Sequence, residues 1–138
     1  MYKTILVTLD ATPTDRAIIE HIKQLARLVS AGVVLLHVAT GVPALFHGPN
    51  AGGEEVEEDQ AYLDRVTSEF ESAGVPATSV LAFGDPAHEI IKWAQRNTCD
   101  LIAMSTHGHK FVADLVLGST ANRVRHSVNV PVLLLRGA

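Results

Sequence analysis

Apolar residues gather along the chain in four dense runs, Ile5 to Leu9, Val33 to Val38, Leu101 to Met104 and Val130 to Leu135. None alternates with polar residues, which is the pattern of strands buried on both faces of a parallel sheet. A fifth, weaker run covers Thr78 to Phe83.

Between the runs the apolar period lengthens to that of a helix. Ile18, Ile22, Leu25 and Val29 recur at spacings of four, three and four. Ahead of them, Thr12-Pro13-Thr14-Asp15 predicts an N-cap, a proline in the first helical position and a capping-box acid, with Gly32 closing the helix. Leu63, Val66, Phe70 and Ala73 predict a second helix that stops at Gly74. Asp85-Pro86 predicts the cap of a third, with Ala87, Ile90, Ile91 and Ala94 turned inward. Ser119 predicts the cap of a fourth, with Ala121, Val124 and Val128 inward.

Strands and helices alternating in this way predict an α/β fold, a parallel sheet with helices on both faces and right-handed crossovers. At 138 residues, with no internal repeat, residues 1–138 are expected to form a single domain around one sheet. One long irregular stretch, Gly41 to Gly53, follows the second strand. It reads either as a lid or binding loop at the carboxyl edge or as an insertion without function.

Composition narrows the classes. A chain 47% hydrophobic and 19% charged is globular rather than disordered. A net charge of −4 without a basic run speaks against nucleic-acid binding. The opening apolar run ends at Asp10, too short for a secretory signal or a membrane span. Cys99 is the single cysteine, so no internal disulfide can form. A cytoplasmic protein without membrane insertion is expected. Seven histidines include no H-x3-H or H-E-x-x-H spacing, and no dedicated metal site is expected. His37 reads as a hydrogen-bonded core residue, and Trp93 as packing. The acids from Glu54 to Asp59 read as the start of a helix. There is no P-loop lysine, nucleophile elbow or paired acid and base, so no catalytic set is assigned.

The candidate chemistry lies in Met104-Ser105-Thr106-His107-Gly108 and in Gly118-Ser119-Thr120. Glycine lets backbone N–H groups approach an anion, and a helix start adds unpaired donors and a positive dipole end. The two elements read either as a phosphate cradle or as an ordinary turn before a serine-capped helix. Asp10, ending the first apolar run, reads either as an acceptor for a ribose or as a solvated turn residue that braces the next helix.

In order and spacing these residues resemble the universal stress proteins. The family signature G-x2-G-x9-G-(S/T) is met by Gly108, nine residues, then Gly118-Ser119, with Ser105 where its first glycine would stand. Tyr2 to Asp10, Leu35 to Val38, Gly84-Asp85-Pro86, Asp100 to Met104 and Pro131 to Arg136 resemble other family elements, so the likeness spans essentially the whole chain. It implies a five-stranded parallel sheet in the order 3-2-1-4-5, Rossmann-like and of the adenine-nucleotide alpha hydrolase-like type. The switch point between strands one and four would be the ligand crevice. The resemblance further implies ATP, or ADP or AMP, with Mg2+ held mainly by phosphates and water. Thr8 and Asp10 would lie beside the adenine and ribose, and Val38 and Met104 would wall the base. Ser105, His107 and Gly108 would meet the ribose and α-phosphate, and Gly118, Ser119 and Thr120 the outer phosphates. A homodimer through the last strand, Val132 to Leu135, is implied as well, and an apolar sheet edge invites that pairing. The function implied is that of a nucleotide-binding stress-response regulator. A slow ATPase or autophosphorylating protein using Ser119 or Thr120, and a nucleotide-free dimeric adaptor, remain open alternatives. A regulatory partner is not identifiable from the sequence.

Overall fold

All five apolar runs are strands of one sheet, in the order β3-β2-β1-β4-β5. The computed structural model describes residues 1–40, 53–106 and 118–137. In chain order the elements are β1 (Thr4–Leu9), α1 (Asp15–Val29), β2 (Gly32–Ala39), α2 (Gly53–Ser72), β3 (Ala77–Phe83), α3 (Pro86–Arg96), β4 (Leu101–Thr106), α4 (Gly118–Ser127) and β5 (Val132–Arg136). Every strand pair is parallel, and central β1 sets Val7 against Leu35 of β2 on one side and Ala103 of β4 on the other.

The missing alternation has a direct cause, because each face of the sheet carries its own apolar layer. Ile18 and Ile22 of α1, with Leu63 and Phe70 of α2, pack on Ile5, Val7, Leu35 and Ala103. Ala87 and Ile90 of α3, with Ala121 and Val124 of α4, pack on Leu6, Leu36, Ile102 and Met104. Adjacent strand residues point to opposite faces, so a central strand must be apolar at nearly every position. At the amino edge Asp100 joins β4 to β1, its carboxylate accepting the N–H groups of Lys3 (2.8 Å) and Thr4 (3.0 Å).

Helix ends agree with the sequence in α2 and α3 and depart from it in α1 and α4. Gly74 takes φ 84° after α2. Asp85 caps α3 by accepting the His88 N–H at 2.9 Å, with Pro86 in the first turn. Helix α1, however, starts at Asp15, and Thr14 makes no side-chain cap. The Asp15 carboxylate reaches back to the Asp10 and Ala11 N–H groups instead of closing a capping box. The left-handed residue ending α1 is Ser30, φ 59°, whereas Gly32 already belongs to β2 and donates its N–H to Lys3. Helix α4 begins at Gly118, which puts Ser119 inside its first turn rather than at the cap. The stretch from Gly41 up to residue 52 lies outside the described residues, as do His107 and Gly108.

Candidate functional site

At their carboxyl ends β1 and β4 part company. The chain leaving β1 enters α1 on one face of the sheet, and the helix following β4 packs on the other. Such a divergence opens a crevice at the strand ends of a parallel sheet.

Three predicted side chains share one face there. Val38 and Met104 belong to the α3/α4 layer together with Ala121 of α4. Thr8, two residues beyond Leu6, has the same facing and is half-buried opposite Leu36 of β2. The amino end of α4, Gly118-Ser119-Thr120, belongs to this side; Ser119 is exposed and Thr120 half-buried. Its first turn contains no acid, and Arg125 and His126 occupy the last turn. The unpaired N–H groups and positive dipole end of such a helix favour an anion.

Asp10 is exposed at the end of β1. Ser105 faces the opposite way from Met104, toward the α1 side, where its register partner Leu135 packs. Its Oγ is buried without a hydrogen-bond partner among the described residues.

The turn between β1 and α1 holds groups that the sequence reading did not assign to the site. Asp15 is only 1% exposed. The Asp10 N–H donates to its Oδ1 (2.9 Å) and Oδ2 (3.1 Å), the Ala11 N–H to Oδ2 (2.9 Å), and the Tyr62 hydroxyl to Oδ2 at 2.6 Å. Ala11 is held at φ 61°. Burial pushes the Tyr62 phenol well above its ordinary range, and the hydrogen bond to Asp15 and that group's charge push it further. His37 is buried as expected; its Nδ1 donates to the Leu9 carbonyl at 2.9 Å, and its Nε2 lies 3.4 Å from an Asp59 carboxylate oxygen on α2. A cleft of about 360 Å³ lies on the α1/α2 side, walled by Ala11, Pro13, Arg16, Tyr62 and Arg65. It lies on the opposite sheet face from Val38 and Met104. Among the described residues no cluster of His, Cys, Asp and Glu could hold a metal ion, and no helix is long and apolar enough to cross a membrane.

The model of the Universal stress protein family matches residues 1–136. The chain belongs to that family. Universal stress protein MJ0577 of Methanocaldococcus jannaschii is 28% identical to it over 99% of this chain and 96% of the relative. Universal stress protein MJ0531 of the same organism is 31% identical over 99% of this chain and 83% of its own length. The solved MJ0577 structure superposes with a TM-score of 0.84, covering 100% of this chain and 98% of that one. The Archaeoglobus fulgidus family member in complex with dAMP (TM-score 0.73, 21% identity, 98% of both chains) shares the fold. So does a universal stress protein in complex with cAMP (TM-score 0.74, 18% identity, 99% and 98%).

Proposed function

We propose that this universal stress protein binds an adenine nucleotide, ATP or its ADP and AMP forms, and acts as a nucleotide-dependent regulator in the form of a homodimer. The reading is carried by one juxtaposition: Thr8, Val38 and Met104 share a sheet face with the amino end of α4, beside the strand ends where β1 and β4 diverge. An apolar floor with an anion-favouring helix start suits a ligand that is a flat base at one end and a polyanion at the other. The cAMP and dAMP complexes of proteins with the same fold support the choice of adenine.

In this reading Val38 and Met104 hold the base between apolar surfaces. The Thr8 hydroxyl and Asp10 carboxylate take hydrogen bonds from the base edge and ribose. Ser105, His107 and Gly108 approach the ribose and first phosphate through the chain leaving β4. Gly118, Ser119 and Thr120 donate N–H and hydroxyl hydrogens to the outer phosphates. A bound triphosphate with its Mg2+ supplies charge that changes the local field, and the protein's part is to bind and orient it.

Acid extraction of the purified protein tests for co-purified nucleotide, and calorimetry with ATP, ADP and AMP gives the affinities. Gly118→Val is expected to abolish binding by putting a branched side chain where the backbone must approach phosphate. Asp10→Ala is expected to weaken binding about tenfold or more, the effect of losing a charge-assisted hydrogen bond. Wild-type protein that binds none of the three at millimolar concentration overturns the reading. Phosphate release followed over hours separates a binding switch from a slow ATPase.

A further inference from the structure

We propose that Asp15 and Tyr62 are positioning residues for the nucleotide site, a clamp that sets the turn carrying Asp10 and ties it to α2. The inference rests on the adenine-nucleotide reading for its functional consequence, though not for the clamp itself.

Asp15 is a buried carboxylate with no cation beside it among the interactions described; its partners are two backbone N–H groups and one phenol. A buried carboxylate is tolerated when donors converge on it in this way. Its place in the chain makes the arrangement specific. An acid in the first turn of a helix ordinarily serves that helix's own amino end. Asp15 bypasses Thr14 and reaches Asp10 and Ala11, five and four residues back, at the end of β1. There Ala11 is held at φ 61°, a conformation that a residue with a Cβ leaves unless something over-determines it. Asp15 supplies that constraint, so the direction in which Asp10 leaves the strand depends on its carboxylate.

Tyr62 extends the constraint to another element. Its hydroxyl donates to Oδ2, the same oxygen that accepts the Ala11 N–H. Tyr62 lies on α2, which follows directly on the chain segment leaving β2 at the carboxyl edge. A movement of α2 against α1 that lengthens the 2.6 Å bond loosens Ala11, and with it Asp10. By linkage, a nucleotide that engages Asp10 favours the α2 position that keeps the bond.

Amide hydrogen exchange and calorimetry on wild type, Tyr62→Phe and Tyr62→Phe/Ala11→Gly test this. In Tyr62→Phe the Asp10 and Ala11 amides are expected to exchange about tenfold faster while those of Ile18 and Ile22 are unchanged. ATP affinity is expected to fall about fivefold to tenfold. Adding Ala11→Gly, which removes the strain the clamp restrains, is expected to recover most of that loss. A merely structural role would lower the melting temperature and leave affinity alone. Unchanged exchange at Asp10 and Ala11 in Tyr62→Phe refutes the clamp whether or not nucleotide binds. Altered exchange with wild-type affinity refutes its positioning role. The exchange difference between Tyr62→Phe and wild type, found together with a wild type that binds no nucleotide, refutes the role at this site and leaves only a brace, and in that case the adenine reading has failed first.

Discussion

At φ 61° Ala11 occupies a region that costs an L-residue with a Cβ about 1–2 kcal/mol. Glycine adopts it freely but loses about 0.5–1 kcal/mol more chain entropy on folding. Ala11→Gly is therefore expected to raise stability by up to about 1 kcal/mol, read as a higher urea midpoint with an unchanged m-value. A lower midpoint would mean that the alanine methyl packs usefully in the cleft it borders. The same residues mark where sequence reasoning succeeds and where it stops. Thr12-Pro13-Thr14-Asp15 has the local look of a capping box, and local pattern alone assigns Asp15 to its own helix. What claims Asp15 instead are the Asp10 and Ala11 N–H groups behind it and Tyr62, 47 residues further on, and no short-range pattern carries the Tyr62 contact. Ser105 is a different case. Met104 faces the α3/α4 layer, so strand parity alone turns the next side chain to the α1 side, and any approach of Ser105 to a ribose runs through its backbone at the end of β4.

Among the elements, the strands were legible because the fold buries both sheet faces, and the order 3-2-1-4-5 followed from the family resemblance rather than from periodicity. Helix α3 was legible because its cap is local: Asp85 accepts the N–H of His88 three residues on. Asp85→Ala is expected to cost about 1 kcal/mol, within the usual range for a lost N-cap. The neighbouring Arg123, which pairs with Asp85 at 3.0 Å across half-exposed surface, contributes little to that total. The His88 N–H, and then Arg123, hold the Asp85 carboxyl below its ordinary value. A lowered folded-state pKa contributes stability that is present above the unfolded value and is lost as pH falls through the folded one. The gap between wild type and Asp85→Ala in thermal melts should thus be full at neutral pH and shrink once pH drops below the ordinary carboxylate range, near about 4. A gap independent of pH would assign the effect to helix propensity instead. Between α1 and α2 the fold adds a second polar tie that no periodicity displays. Arg16 grips Glu69 with two hydrogen bonds of 3.0 and 2.6 Å, and Lys23 adds a third at 3.2 Å. The tie runs beside the Tyr62 clamp and holds the same two helices together.

At the scale of the whole molecule, β3 and β5 are the outer strands of the sheet. Edge strand β3 carries Thr78 and Ser79, whereas edge strand β5 reads Val132-Leu133-Leu134-Leu135 and leaves all four side chains only partly buried in the single chain. An apolar edge with unpaired backbone groups is a template for pairing with another chain. A stable dimer interface buries roughly 600–1,000 Å² per partner. Against a chain surface of 7593 Å² that is roughly a tenth, more than a five-residue strand supplies alone, so side chains flanking β5 such as Val128 and Val130 are expected to join it. Leu135→Lys is expected to shift the protein from dimer to monomer in sedimentation velocity. Because Leu135 also touches the α1-side layer, far-UV circular dichroism must show that the variant stays folded. Every residue proposed for the nucleotide site comes from one chain, so the monomeric variant should keep its ATP affinity while losing self-association. Wild type already monomeric at tens of micromolar would remove the dimer from the proposed function, and a folded variant that remains dimeric would move the interface to another surface.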